Sequence, residues 1–459
     1  MSEPRENSWR SAQSGYLNRK RKTRHYRLVL RLMLMICLLL VTIVVIRQTG
    51  MISFFTTPDS QTQQGKTAPT AEQGKRSAPK ADLLSNRDLK GILSQVPLLN
   101  ADSNIFFIEN GLGSYRITTS LNVDIQEFLL KKLDRLKTLK RGKPRNIALV
   151  VMEPDTGKII ALAGFDLDNP KTNPCYESRF PAASIFKIVT AAAALETLGF
   201  TPDTPLYFNG NKYTLYKRQL KNTRNKYSYK VSFAQAFAES INPVFGKISQ
   251  NDMGKDTLDT YANAFGFNAP IDSELSFTSG VLKMTDQPYQ WAEIGCGFNN
   301  DTTISPVFGA MLASTIINSG KVPVPNIVEH VTDAKGNLIY QWENRIHNSA
   351  IKSKTASSLV TLMKKTVSSG TARKIFRGQK KHPVLSKLTI GGKTGSLYNK
   401  AHTIKYDWFT GFGMQKSGSG KLAVSIVVGH GKYYGTKAGE YGRMILEQYF
   451  KQPVKLAER

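Results

Sequence analysis

The sequence predicts an α+β fold in which one antiparallel sheet is assembled from distant parts of the chain, with helices on one side of it. Three observations lead to this class. A β-hairpin pattern lies near residue 150, strand patterns joined by Gly-rich turns lie near the C-terminus, and apolar segments of helical spacing occupy the region between them. Because strands lie at both ends of this region, the sheet must pair segments that are far apart in sequence.

Local patterns justify each element in turn. The hairpin consists of a β-rich run at 146–152, the turn Asp155-Thr156-Gly157 and a returning run at 158–164. The predicted helices begin with the Ala-rich segment after Ser184 and continue at 231–239, 243–249, 257–265, 305–319 and 356–368. The predicted C-terminal elements are strands at 388–391, 408–414 and 422–428 and a closing helix at 443–450.

An apolar run near the N-terminus predicts a single transmembrane helix at 28–47. This span is apolar apart from Arg31, Thr42 and Arg47, and it is long enough to cross a bilayer. No Ala-x-Ala cleavage site follows, which favours an uncleaved signal anchor over a cleaved signal peptide. Because Lys and Arg are concentrated on its N-terminal side, residues 1–27 are expected to form a cytoplasmic tail, with the rest of the chain outside.

The segment between the anchor and the folded body is predicted to be a linker, residues 48–104. Within it, residues 57–80 are polar and low in complexity, which is typical of a disordered tether. Apolar residues between 89 and 96 repeat at helical spacing, so we expect a short amphipathic helix that packs on the body. The folded domain itself is predicted to extend over 105–459.

The formal net charge of +29 raises nucleic acid as a partner. Residues 1–31 hold nine Lys or Arg beside the apolar run. Basic residues on the cytoplasmic side of a membrane span set its orientation, and this role is the better explanation for much of the charge. Nucleic acid is therefore not expected as a partner, whereas the membrane is. Six histidines are scattered along the chain, so neither a metal site nor a cofactor is expected.

Two cysteines fall in the part predicted to be extracytoplasmic, where disulfides can persist. These are Cys175 and Cys296. The sequence leaves two interpretations open, a disulfide between them and two separate buried thiols.

Three short strings carry the chemistry, namely Ser184-Ile185-Phe186-Lys187, Ser240-Ile241-Asn242 and Lys393-Thr394-Gly395. The hydroxyl and amine of the first string are three residues apart on an apolar helix, so they can meet on one face. An isolated pair of this kind is more often a helix cap and a surface lysine. The other Ser-x-x-Lys pairs, which begin at Ser77 and Ser349, have no apolar helix behind them. The first string offers a hydroxyl nucleophile with a nearby amine base, the second offers further polar side chains, and the third offers a cationic strand edge. Together they indicate a serine acyltransferase.

From about residue 115 to residue 455 the chain resembles the transpeptidase domain of penicillin-binding proteins. Besides the three strings, the resemblance rests on the segments 117–126, 148–162, 291–305, 369–372 and 407–412. It implies a five-stranded antiparallel sheet flanked by helices, with an all-helical subdomain, as in β-lactamase-like folds. It also implies a D,D-transpeptidase of the bacterial cytoplasmic membrane that cross-links peptidoglycan stem peptides and is acylated by β-lactams.

The resemblance also assigns roles to the matching residues. Ser184 would be the nucleophile, Lys187 its base, and Ser240 the relay of a proton to the leaving amine. Asn242 would hold the substrate peptide amide. Backbone N–H groups of Ser184 and Ser396 would form the oxyanion hole. The C-terminal carboxylate of the substrate would be bound by Lys393, Thr394 and Ser396, beside Gly395 at the strand edge.

Several alternatives share this architecture. A bifunctional enzyme would need a glycosyltransferase domain between anchor and transpeptidase, and residues 48–114 are too few for one. A D,D-carboxypeptidase would use the same acyl-enzyme with water as acceptor, and a β-lactamase would need an added base, for which no glutamate motif is visible. A non-catalytic β-lactam sensor or scaffold is the alternative outside enzymes. The acceptor and any partners among cell-wall synthesis proteins stay open.

Overall fold

The computed structural model describes residues 84–111 and 113–451, all within one compact unit, Ser77–Arg459. The predicted tail, anchor and tether lie outside the described residues. Among the helices that are described, none combines the length and apolarity needed to cross a membrane.

The helices are α1 (Asn86–Leu93), α2 (Val123–Lys137), α3 (Lys187–Thr197), α4 (Phe233–Ala238), α5 (Asn242–Lys247), α6 (Gly254–Ala264), α7 (Pro288–Cys296), α8 (Pro306–Ile317), α9 (Ser353–Ser368) and α10 (Ala438–Lys451). Short 3₁₀ helices lie at Ala183–Ile185, Lys217–Leu220, Gln379–Lys381 and Leu385–Lys387, and a π-helix lies at Ile248–Met253. The strands are β1 (Ile105–Asn110), β2 (Gly113–Thr119), β3 (Asn146–Met152), β4 (Ile159–Asp166), β5 (Phe180–Pro181), β6 (Pro205–Phe208), β7 (Tyr229–Ser232), β8 (Thr303–Ile304), β9 (Lys321–Pro323), β10 (Val328–Asp333), β11 (Leu338–Gln341), β12 (Ile346–Ser349), β13 (Leu388–Tyr398), β14 (Lys405–Gln415) and β15 (Lys421–His430).

The central sheet has five antiparallel strands in the order β13-β14-β15-β3-β4. The expectation of one antiparallel sheet built from both ends of the domain is therefore confirmed. The hairpin predicted at 146–164 forms β3 and β4. The C-terminal strands occur where they were predicted, although β13 continues through the Lys393-Thr394-Gly395 string to Tyr398.

Helices cover both faces of this sheet, so the expectation that they lie on one side is wrong. All seven residues of β3 are buried, and they alternate between two hydrophobic clusters. Ile147, Leu149 and Val151 join the cluster that includes α2 and α10, whereas Ala148 and Val150 join the larger cluster that includes α8. Because successive side chains of a strand point to opposite faces, an apolar run without alternation indicates a sheet covered twice.

The helical subdomain comprises α3 to α7 and packs around the Ala-rich helix α3. All twelve residues of α8 are buried, because this helix lies between the sheet and the other helices. Phe233 and Phe237, from α4, both contact the ring of Phe245 in α5. These contacts fix the turn between α4 and α5, which contains the string Ser240-Ile241-Asn242.

The packed body begins earlier than residue 105. Helix α1 starts with a capping box, in which Ser85 and Asp88 exchange hydrogen bonds with each other's backbone. Its buried face, Leu89, Ile92 and Leu93, belongs to the same core as the helical subdomain. The predicted short helix is therefore present and packs on the body, as expected.

A second sheet follows α1, with the strand order β1-β2-β10-β11. Its two hairpins are separated by about 200 residues of chain (Thr119 pairs with Val328), so no local pattern revealed the pairing.

Candidate active site

Ser184 lies at the centre of the short 3₁₀ helix Ala183–Ile185, immediately before α3. The preceding residue, Ala183, has a φ of +47°, which is unusual for a residue with a side chain. Trp408 stabilises the approach to this turn by donating its indole N–H to the carbonyl of Pro181 at 2.9 Å. The nucleophile predicted from sequence is thus held on a constrained turn at the start of a buried helix.

Gly297 packs directly beneath this turn. A Cβ atom at this position would overlap the carbonyl oxygen of Ala183 and approach the amide nitrogen of Ser184 to 2.9 Å. Its φ of +69° also favours glycine. The end of α7 therefore contacts the backbone that carries the nucleophile.

Lys187 is fully buried, and its amine contacts the Ser184 hydroxyl. Nζ lies 2.9 Å from Ser184 Oγ and 2.8 Å from Asn242 Oδ1, and it donates to the carbonyl of Cys296. All three partners are neutral groups, so nothing in contact compensates a full positive charge. Burial accordingly lowers the pKa of Lys187 to about 8.

Ser240 and Asn242 lie in the turn between α4 and α5. Ser240 has a φ of +58°, and its hydroxyl accepts a hydrogen bond of 2.9 Å from Lys393 Nζ. Asn242 is buried at the start of α5, where its Nδ2 donates to the carbonyl of Tyr213 at 3.0 Å. Since its Oδ1 meets Lys187, both ends of the Asn242 amide are engaged within the protein.

Lys393 lies on β13, which is an edge strand of the central sheet, and its side chain is fully buried. Nζ donates to Ser240 Oγ and to the carbonyl of Thr394, each at 2.9 Å. Burial, followed by the charge of Lys187, lowers the pKa of Lys393 well below its usual range. The resemblance assigns Lys393 to the substrate carboxylate, and in the structure its amine contacts the hydroxyl of Ser240.

The residues after Lys393 face the nucleophile. A Cβ at Gly395 would lie 3.3 Å from the side chains of Ala183, Ile185 and Trp408, so a larger residue would require these neighbours to shift by a few tenths of an ångström. Thr394 Oγ1 lies 2.6 Å from the hydroxyl of Thr371.

These elements enclose a cavity of about 510 Å³. Most of the predicted site residues line it, and Lys187 and Lys393 lie behind that lining. A further set of lining residues was not assigned to the site by sequence reasoning. The lining residues of the predicted site are Ser184, Ser240, Asn242, Thr394, Gly395 and Ser396, and those missed include Tyr213, Phe298, Thr371, Lys374, Lys405, Asp407, Tyr434 and Lys437.

The missed residues make the cavity electropositive. Within the described part of the chain, Lys374, Lys405 and Lys437 form no ion pair. Asp407 is the acidic lining residue, and its Oδ2 accepts the backbone N–H of Ala438 at 2.8 Å, which caps α10. Three unpaired ammonium groups around one carboxylate favour an anionic ligand.

The structure does not join the two cysteines, so the disulfide interpretation is wrong for the described fold. Cys175 lies among the carbonyls of Leu149 and Ala163, and Cys296 lies at the end of α7. Burial raises the pKa of both thiols, that of Cys296 to about 11. Among the described residues, no group of three His, Cys, Asp or Glu is arranged to hold a metal ion.

Comparison with known proteins gives consistent matches. The sequence model of the penicillin binding protein transpeptidase domain matches residues 147–447. The peptidoglycan D,D-transpeptidase PbpA of Mycolicibacterium smegmatis is 26% identical over 322 residues, which cover 62% of this chain and 62% of that protein. Stage V sporulation protein D of Bacillus subtilis is 22% identical over 60% of this chain and 43% of its own length. The chain thus spans less than two thirds of the length of these relatives.

Solved structures match over a larger share of the chain. PBPA from Mycobacterium tuberculosis superposes with a TM-score of 0.59 at 22% identity, covering 73% of this chain and 82% of that one. A ceftriaxone acyl-enzyme complex of the same M. tuberculosis protein gives 0.58 at 23% identity, over 72% and 79% of the two chains. At these identities the likeness shows the fold.

Proposed function

Because this chain belongs to the penicillin-binding protein transpeptidase family, we propose that it is a serine D,D-transpeptidase that cross-links peptidoglycan stem peptides. The observation that carries the proposal is the contact of 2.9 Å between Ser184 Oγ and the buried amine of Lys187. A lysine with a pKa near 8 has a substantial neutral fraction near neutral pH, so it can accept a proton.

The first half of the reaction forms an acyl-enzyme. Ser184 Oγ attacks the carbonyl carbon of the penultimate D-alanine of a stem peptide, while Lys187 Nζ takes the hydroxyl proton. Negative charge develops on the carbonyl oxygen, where the backbone N–H groups of Ser184 and Ser396 stabilise it. The C–N bond then breaks, and the proton held by Lys187 passes through the Ser240 hydroxyl, which Lys393 orients, to the leaving amine of the terminal D-alanine, so that Lys187 is neutral again.

The substrate carboxylate is bound by the hydroxyls of the strand edge in this proposal. Thr394 and Ser396 line the cavity, and the hydroxyl of Thr371 contacts that of Thr394. The ammonium groups of Lys405 and Lys437, which also line the cavity, supply positive charge in addition to that of Lys393. The carboxylate of a β-lactam has the same position relative to its reactive carbonyl, so we expect β-lactams to acylate Ser184.

The second half transfers the acyl group to an amine of a neighbouring stem. Its nitrogen attacks the ester carbon, its proton passes to Lys187, and the Ser184 Oγ–C bond breaks to regenerate the hydroxyl. Water in place of the amine would make the protein a D,D-carboxypeptidase. We propose that this chemistry occurs at the outer face of the bacterial cytoplasmic membrane, since the apolar span 28–47 with basic residues before it predicts an anchor of that orientation.

Labelling with a fluorescent penicillin tests the acyl-enzyme. The full-length wild type should be labelled covalently and Ser184→Ala should not. The chain offers a matched control in its second Ser-x-x-Lys pair, so Ser349→Ala should be labelled like the wild type. Label that persists in Ser184→Ala, or that never appears on the wild type, would refute the assignment.

Product analysis tests the acceptor. The protein is incubated with a pentapeptide that ends in D-alanyl-D-alanine, with and without an added acceptor amine, and products are identified by mass spectrometry. We expect the transfer product to dominate when the amine is present. Exclusive formation of the tetrapeptide under both conditions would identify a carboxypeptidase instead.

A further inference from the structure

A long excursion of the chain flanks the active-site cavity. Strands β6 and β7 pair as a hairpin, and residues 209–228 between them form a surface structure that includes the 3₁₀ helix Lys217–Leu220. The backbone N–H of Asn242 donates to the carbonyl of Lys212 at 2.7 Å, and its side chain donates to the carbonyl of Tyr213. The excursion is thus attached to the same residue that contacts Lys187.

A buried glutamine organises this excursion from within. Gln219 Nε2 donates to the carbonyls of Asn209 and Asn211, each at 3.0 Å. Its Oε1 accepts from the hydroxyl of Thr214 and from the backbone N–H of Tyr216. Because both ends of this side-chain amide are engaged, internal hydrogen bonds hold the segment in a defined conformation.

The excursion encloses a second cavity of about 500 Å³. Amide and hydroxyl residues supply most of its lining, among them Asn211, Thr223 and Asn225. Tyr216 and Tyr227 also line it, and they are 54% and 72% exposed. Polar walls with exposed aromatic rings suit a ligand that has both hydrogen-bonding groups and apolar ring faces, which is the chemistry of a saccharide.

Positively charged residues are concentrated in and beside this excursion, with few carboxylates to compensate them. Residues 204–238 contain seven Lys or Arg and no Asp or Glu. Among the described residues, Lys212 pairs with Glu239, and the remaining six cations form no ion pair. The six are Lys217, Arg218, Lys221, Arg224, Lys226 and Lys230. A ligand that bears carboxylates would meet complementary charge over the whole excursion.

From these observations we infer that the excursion 209–228 binds the glycan strand of uncross-linked peptidoglycan, next to the stem peptide that occupies the active site. The inference rests on the proposed function for the identity of the substrate. Sugar rings would stack on Tyr216 and Tyr227, N-acetyl and hydroxyl groups would bond the cavity walls, and stem carboxylates would face the surrounding cations. Tyr213 lines the active-site cavity, and Tyr216, three residues further along the same excursion, lines the second one.

A phosphodiester polymer is the competing ligand, because a basic surface would attract it as well. Sites that bind phosphate place Arg and Lys in the lining, where they contact the phosphate oxygens directly. Here Arg218 is the one cation among the lining residues, which are otherwise mostly amides and hydroxyls. This distribution favours the saccharide.

Binding measurements on Ser184→Ala protein test the inference without turnover. The probes are uncross-linked peptidoglycan strands that carry pentapeptide stems, a neutral N-acetylglucosamine oligomer and poly(glycerol phosphate). We expect the strands to bind tightest and the neutral oligomer more weakly, with an affinity that added salt changes little. Tyr216→Ala/Tyr227→Ala should weaken strand binding about tenfold.

Two further variants complete the test. Phe107→Ala removes an aromatic ring that is 74% exposed on β1, so it should bind strands like the parent. Lys221→Glu/Lys226→Glu should lower affinity for the strands and flatten its dependence on salt. On the wild-type background, none of these changes should alter the rate of penicillin labelling by more than about twofold, which also verifies folding.

Equal binding by the parent and the double tyrosine variant would overturn the inference. So would binding of poly(glycerol phosphate) as tight as that of the strands, or no binding of the strands at all. Failure of the proposed function gives a separate result, because the wild type would then not be labelled by penicillin whatever its affinity for strands.

Discussion

At the scale of single residues, burial of the Lys187 amine gives this residue the lowered pKa that its proposed role as a base requires. Lys187 contacts a hydroxyl, an amide oxygen and a backbone carbonyl, all neutral, and its side chain is shielded from water. Desolvation penalises the ammonium form, so the amine releases its proton at a lower pH than an exposed lysine. No carboxylate is needed to orient it, because Asn242 and the Cys296 carbonyl fix its position.

This arrangement predicts how acylation depends on pH. Only neutral Lys187 can accept the Ser184 proton, and burial lowers its pKa to about 8. The second-order rate constant for penicillin acylation should therefore rise about tenfold per pH unit below this value and level off above it. Stopped-flow measurement of acylation over this range provides the profile. A rate that stays constant through the weakly acidic range would contradict the role of Lys187.

The contact between Ser184 and Lys187 was predictable from sequence, whereas much of the cavity was not. Ser184 and Lys187 are three apart on one helix, so their contact follows from local geometry. Lys374, Lys405 and Lys437 come from three separate segments and meet only through the fold. The orientation of Lys393 was also unpredictable, because the partner of its amine, Ser240, is 153 residues away in sequence.

At the scale of elements, the nucleophile depends on the end of α7 as much as on its own helix. Gly297 lies against the backbone of Ala183 and Ser184 with no space for a side chain. Helix α7 was not among the elements predicted from local patterns, so this contact could not be predicted. The position of Ser184 Oγ is therefore set by packing between two helix ends.

Substitution of Gly297 should distinguish displacement of the turn that carries Ser184 from the general cost of placing a side chain at a positive φ. Gly297→Ala should reduce the rate of penicillin labelling about 100-fold, because its Cβ displaces the turn that carries Ser184. Gly336→Ala is the matched control, since that glycine also has a positive φ (+81°) but nothing within 4 Å of its Cβ position. The control should lose about 1–2 kcal/mol of stability and keep its labelling rate. Equal labelling by both variants would contradict this account of the turn.

At the scale of the whole molecule, long-range pairing extends the body towards the N-terminus. Helix α1 and strands β1 and β2 precede the predicted domain or lie at its start, yet they share a core and a sheet with residues beyond 300. The central sheet was predictable because each of its strands has a strong local pattern. The second sheet was not, since its strands are short and only partly buried.

The contribution of α1 can be measured in the full-length protein. Leu89 is fully buried in the main core, so Leu89→Ala should lower the free energy of unfolding by about 2–5 kcal/mol. Arg87→Ala, an exposed position on the same helix, should change it by less than about 0.5 kcal/mol. Urea denaturation compares the two. Equal stabilities would mean that the helix is not part of the cooperative unit.

The two separate thiols bear on how this fold can be produced. Cys175 and Cys296 are both buried with raised pKa values, so each thiolate is scarce and inaccessible to oxidants. The described body consequently has no covalent cross-link to form and no thiol-exchange step during folding. It should mature equally well in a reducing cytosol and in an oxidising compartment, independently of disulfide-forming catalysts.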